Sequence, residues 1–134
     1  MFEWGEIKIS KIFIVEDDKS LRQLYEKALN VNGYHVLATA KNGEEAVSMY
    51  KSFSDKPDVI LMDHRMPIKN GLEASREILE MEGHPKIIFA SADKSVKEEA
   101  LSLGVLSFKD KPFTLQRLFN NITKALNLIP PIIS

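Results

Sequence analysis

Four consecutive apolar residues, Val59-Ile60-Leu61-Met62, run straight into an aspartate, Asp63. A strand that faces water on one side alternates apolar and polar residues, whereas one that is apolar at every position needs cover on both faces. That requirement favours a sheet with helices packed on each side, and the rest of the chain repeats the pattern. Lys11 to Val15 reads as a first strand, His35 to Ala40 as a second, Ile87-Ile88-Phe89-Ala90 as a fourth and Leu106 to Lys109 as a short fifth. The segments between them carry helical spacing. Leu21, Leu24, Tyr25, Ala28 and Leu29 predict one buried face, ended by Gly33. Ala46, Val47, Tyr50 and Phe53 follow an Asn42-Gly43 turn, and Leu72, Ile78 and Leu79 follow Gly71. A fourth helix is predicted from about Ser95 to Leu103, closed by Gly104. The last helix has the clearest period, Leu115, Leu118, Phe119, Ile122 and Leu126, and Pro130-Pro131 forbids its continuation. Five strands alternating with five helices argue for a parallel α/β sheet with helices on both faces.

A chain of 134 residues suits one domain with one core, and neither linker, repeat nor low-complexity tract divides it. A single domain is expected over 1–134, with its core from about 9 to 128. The formal net charge of −1 gives no global basic field, so no direct nucleic-acid contact is expected. Apolar runs of four or five residues span no bilayer, and Met1 to Lys8 lack the pattern of a signal peptide. The chain has no cysteine, which excludes disulfides and thiolate-bound metals and fits a cytoplasmic location.

The chemistry gathers where strands end. The first strand closes on Glu16-Asp17-Asp18, the third on Asp63, the fourth on Ser91-Ala92, and Lys111-Pro112 follow the fifth. Ligands of open α/β sheets bind at the carboxyl ends of the strands, so these side chains are expected on one rim. Clustered carboxylates repel one another and call for a cation. An all-oxygen donor set suits Mg²⁺. A carboxylate can act as a nucleophile, Lys111 offers a compact positive charge and Ser91 a hydroxyl donor, and phosphoryl transfer depends mainly on such positioning and charge. Asp18 reads as a helix cap, His64 as a solvent-facing neighbour, and Phe108 as either a core residue or a moving one.

The joint order of Ile14-Val15-Glu16-Asp17-Asp18, Val59-Ile60-Leu61-Met62-Asp63 with Met66-Pro67 and Gly71, Ala90-Ser91-Ala92 and Lys111-Pro112-Phe113 resembles the receiver domains of two-component response regulators, over roughly Lys11 to Leu128. The resemblance implies a flavodoxin-like three-layer sandwich with strand order 2-1-3-4-5. It implies Asp63 as phosphoacceptor, Asp17 and Asp63 as direct Mg²⁺ ligands with the backbone carbonyl of Arg65, and Glu16 acting through the metal's water. Ser91 and Lys111 would meet the phosphoryl oxygens, Ser91 and Phe108 would form the switch, and the Lys111-Pro112 bond would be cis. Implied partners are a histidine kinase or phosphotransfer protein and an output protein, with the chain a monomer or a phosphorylation-dependent dimer. On this reading it is a regulatory phosphoacceptor rather than an enzyme.

Departures are conservative: Glu16 for Asp, Ser91 for Thr and Phe108 for Tyr. The stretch from Ser91 to Lys111 is about two residues short, with the deficit before Gly104, and Leu106-Ser107 stands where DNA-binding members often carry an acidic pair. Rival readings fare worse. An aspartate phosphatase needs a second acid that Asp63-His64-Arg65 lacks, and a flavodoxin needs a phosphate loop where Glu16-Asp17-Asp18 would repel phosphate. A pseudo-receiver acting through protein contact alone is the remaining alternative. Arg65 and Asp93, each two residues beyond a rim residue, are expected to pair across the pocket mouth.

Overall fold

The computed structural model describes residues 9–127. Phe2, Trp4, the Pro130-Pro131 stop and Ile132-Ile133 lie outside them. The elements run β1 (Lys11–Val15), α1 (Lys19–Val31), β2 (His35–Ala40), α2 (Gly43–Ser52), β3 (Val59–Asp63), α3 (Gly71–Leu79), β4 (Lys86–Ser91), α4 (Lys97–Leu103), β5 (Ser107–Asp110) and α5 (Leu115–Leu126). The five strands form one parallel sheet in the order β2-β1-β3-β4-β5. This is the flavodoxin-like three-layer arrangement that the resemblance implies. Among the described residues no helix is long and apolar enough to cross a membrane.

The period of two along each strand sorts its side chains between two cores. Ile12 and Ile14 of β1, Val59 and Leu61 of β3, and Ile88 and Ala90 of β4 pack under α1 and α5, with Tyr25, Leu29, Leu118 and Ile122. Phe13 and Val15, Ile60 and Met62, and Ile87 and Phe89 face the other way, against Ala46, Tyr50, Ile78 and Ala100. Each large aliphatic or phenylalanine side chain among them, removed from water, contributes about 1.5–3 kcal/mol before entropy is charged. The continuous apolar runs are therefore two interleaved half-strands, one for each core.

Side-chain caps start most of the helices. Asp18, Asn42, Asn70 and Thr114 accept from the backbone of Leu21, Glu45, Glu73 and Arg117, and Asn70 with Glu73 forms a capping box. Gly71 is required by close approach. Its N–H donates to the His64 carbonyl at 2.9 Å, and a Cβ there would overlap the Asp63 carbonyl oxygen. The start of α3 is thereby seated on the backbone of Asp63.

Four expectations need correction. The fourth helix does not begin at Ser95: Asp93 accepts from the Ser95 N–H at 3.0 Å and starts a 3-10 turn at Lys94–Val96, with α4 proper only from Lys97. The fifth strand lies one residue later than the apolar run suggests, because Leu106 is the exposed residue leading into it. Leu24 is 48% exposed rather than buried, since Tyr25 and Leu29 seat α1 on the sheet and turn Leu24 outward beside Pro112 and Phe113. Ala125, absent from the expected apolar face of α5, is buried there, while Leu115, Phe119 and Leu126 are half-buried at its edge.

Ile68, in the loop between β3 and α3, has φ of 72° and is 79% exposed. A β-branched residue in the left-handed region is strained. Ile68→Asn is expected to raise the stability of the fold by about 1 kcal/mol, read from the urea midpoint. A lower midpoint would show instead that the side chain holds the loop.

Candidate functional site

Parallel strands all end at the same edge of the sheet, and here that edge gathers one cavity of about 300 Å³ lined by Glu16, Asp17, Asp18, Leu21, Asp63, Arg65, Ser91, Ala92 and Lys111. The residues that the sequence marked at the ends of β1, β3 and β4 and after β5 thus meet. Lys111 is carried to them by a bond from its N–H to the Ser91 carbonyl at 3.0 Å. The Lys111-Pro112 peptide is cis.

Lys111 is the electrostatic hinge of the cavity. Its ammonium donates to Glu16 Oε1 at 2.7 Å and to Asp63 Oδ1 at 3.3 Å. Burial lowers its pKa, but the bonds to Glu16 and Asp63 outweigh that and leave it above the ordinary lysine value. Glu16 is 2% exposed, and its second oxygen accepts from the Asp18 N–H at 3.1 Å. Asp17 is exposed at the mouth, and Asp18 is the cap of α1. Asp63, 7% exposed, accepts from the His64 N–H at 2.9 Å, also through Oδ1. Among the described residues, both of its protein donors therefore fall on one oxygen, leaving Oδ2 without any. Burial and the Glu16 carboxylate push the Asp63 carboxyl up, against the pull of Lys111, to about 7.

Oxygen atoms of Glu16, Asp17 and Asp63 all lie within 4.8 Å of one another. One cation can touch such a set. Hard oxygen donors in an open cavity with room for water fit Mg²⁺. The Ser91 hydroxyl is buried and accepts from the Asp93 N–H at 2.9 Å, which anchors its oxygen and leaves its proton free to be donated. Arg65 and Asp93 meet at 3.4 Å, as expected, with the Arg65 side chain 80% exposed.

Phe108 is half-buried on β5 and lies outside the cavity, its ring stacked on Phe89 at 5.8 Å. The expectation for His64 is overturned: it is buried, 5.7 Å from the Phe89 ring, because the chain leaving β3 turns its side chain inward. Burial lowers its pKa, and among the described residues Nδ1 has no partner. His64, Phe89 and Phe108 form an aromatic row from the neighbour of Asp63 to β5. Arg22 belongs to no motif in the sequence, yet its guanidinium donates to the Glu16 carbonyl at 2.8 Å. Its one signal was position, a helical turn after Asp18.

The model of the response regulator receiver domain matches residues 12–123. The chain is 37% identical to the chemotaxis protein CheY of Bacillus subtilis over 87% of its own length and 98% of that protein, and 35% identical to CheY of Thermotoga maritima over 85% and 95%. Among solved structures it resembles a receiver domain from Clostridium thermocellum, with TM-score 0.82 and 27% identity over 90% of this chain and 96% of that one. It also resembles the CheX-CheY-BeF3-Mg complex from Borrelia burgdorferi, with TM-score 0.80 and 25% identity over 87% and 89%. The sheet order, the acidic rim and these relatives agree, and the chain belongs to the receiver domains of two-component response regulators, of the CheY-like, chemotaxis type.

Proposed function

We propose that this chain is a single receiver unit that accepts a phosphoryl group on Asp63 from a partner histidine kinase or phosphotransfer protein, with Mg²⁺ bound, and passes the signal on by protein contact or phosphorelay. The observation that carries the reading is the Lys111 ammonium set between Glu16 and Asp63 in a cavity that also holds Asp17 and Ser91. In this reading Asp17 and Asp63 hold the metal directly with the Arg65 backbone carbonyl, and Glu16 holds it through water. Mg²⁺ supplies positive charge that offsets the carboxylates and the phosphoryl oxygens.

The chain's own groups divide the work. Lys111 and the His64 N–H fix Asp63 Oδ1, which leaves Oδ2 to form the new bond to phosphorus as the bond from phosphorus to the donor nitrogen breaks. The donor imidazole keeps that electron pair. Charge on the phosphoryl oxygens meets the Lys111 ammonium and the Ser91 proton, donors already in place before the reaction. The added charge then biases two preexisting states. Ser91 and Phe108 serve as the switch, and Phe108 carries no hydroxyl that an inward rotamer would leave unpaired. The Borrelia relative, solved with BeF3 and Mg, supports this chemistry by likeness. The unit works in the cytoplasm without direct nucleic-acid contact or membrane insertion, as a monomer or a phosphorylation-dependent dimer. A pseudo-receiver role is not favoured, since acids, lysine and hydroxyl share one cavity.

Incubation with acetyl phosphate and Mg²⁺ is expected to add the mass of one phosphoryl group, and Asp63→Asn to lose it. Equal labelling of that variant would overturn the assignment. The Arg65–Asp93 pair stands over the route of a hydrolytic water. Arg65→Ala and Asp93→Ala are each expected to speed dephosphorylation by up to about fivefold, with a non-additive double variant. Unchanged rates in both would remove the gate and leave the acceptor intact.

A further inference from the structure

Arg22 is half-buried on α1, and its Nη1 donates to the Glu16 carbonyl at 2.8 Å, with a longer contact to the Asp17 carbonyl at 3.4 Å. Those carbonyls belong to the two residues whose carboxylates join that of Asp63. The loop that turns the chain from β1 into α1 is tied elsewhere too. The Glu16 N–H donates to the Ala40 carbonyl at 3.0 Å, and the Asp18 N–H to Glu16 Oε2. Neither tie fixes the peptide between Glu16 and Asp17, whose orientation sets the direction in which the Asp17 side chain leaves the backbone. A guanidinium suits that task, because Nη1 alone carries two N–H bonds in a fixed plane and faces both carbonyls.

We infer that Arg22 is a positioning residue for the divalent cation: it holds the Glu16 and Asp17 backbone so that their carboxylates converge with Asp63. The inference rests on the proposed reading of the rim as a Mg²⁺-dependent phosphoacceptor site. It has a sign of its own. A guanidinium near a cation site repels the incoming cation, so removing a bystander charge tightens Mg²⁺ binding. Removing a positioning group weakens it.

The test is calorimetry of Mg²⁺ binding to the full chain at fixed, low ionic strength, with thermal unfolding in the absence of Mg²⁺ as the check on folding. Arg22→Ala is expected to weaken Mg²⁺ binding about five- to tenfold. Arg22→Lys keeps the charge and N–H donors but loses the rigid planar placement, and is expected between the two. With acetyl phosphate, the Mg²⁺ concentration for half-maximal labelling of Arg22→Ala should rise by the same factor, while the rate at saturating Mg²⁺ stays near wild type. Binding that is unchanged or tighter in Arg22→Ala overturns the inference alone, as does a lost rate at saturating Mg²⁺. If the alanine variant does not fold, Arg22→Lys decides: weaker binding supports the role, and equal or tighter binding ends it. A wild-type chain that binds no Mg²⁺ overturns the reading of the rim, and this inference with it.

Discussion

Replacing Lys111 by methionine is expected to destabilise the fold by about 2–4 kcal/mol at pH 8 and by less at pH 5. The ammonium bonds both Glu16 and Asp63, and methionine keeps the stem while leaving two buried carboxylates without a countercharge. The sign of the pH dependence follows from the Asp63 carboxyl. Without Lys111 it is pushed further above its unfolded value, so it contributes stability at low pH that is lost as pH rises through the raised folded value. Urea unfolding of both proteins at the two pH values measures the gap. A gap that closes at pH 8 would mean that the lysine is a surface charge with an incidental bond. The same variant is expected to label with acetyl phosphate about a hundredfold more slowly, the usual scale for losing one preorganised donor to a developing anion.

Asp63→Asn should act in the opposite direction on stability. The Asp63 carboxyl is raised from 3.8 to about 7, by burial first and the Glu16 charge second, with Lys111 opposing. A group raised on folding contributes stability that is fully present below about pH 4 and lost as pH rises through about 7. The amide does not ionise and escapes that loss. In the absence of divalent cations the variant is therefore expected to exceed wild type by on the order of 1–3 kcal/mol at pH 8, with the difference growing between about pH 4 and 7 and level above. Excess Mg²⁺ should narrow the difference by stabilising the protein that binds it better. A variant less stable than wild type at pH 8 would show that Asp63 is held by its hydrogen bonds more than it is strained by burial.

Both expectations concern residues that could be picked from the sequence, and the reason is geometric. β1, β3 and β4 match their apolar runs to within one residue at each end, because a strand buried on both faces tolerates no polar residue until it reaches the rim. Glu16, Asp63 and Ser91 stand at those ends, so their meeting follows from the parallel order. What escaped the pattern depends on distances that no linear spacing encodes. The Asp93 turn that delays α4 is a local side-chain bond competing with a helix start. Leu24 has the period of a core residue on a helix seated by its neighbours. His64 is polar by type and buried by the turn of the chain, and Arg22 serves carbonyls, whose positions leave no trace in residue type.

Asp63 ends the middle strand of the sheet, flanked by β1 on one side and β4 on the other, with its backbone pressed against the start of α3. The proposed phosphoacceptor is accordingly held on every side. Mechanically it is an anchor, and whatever moves must lie at the far end of a lever. The row His64, Phe89 and Phe108 runs from that anchor across β4 to β5, which among the described residues pairs with a strand on one side only.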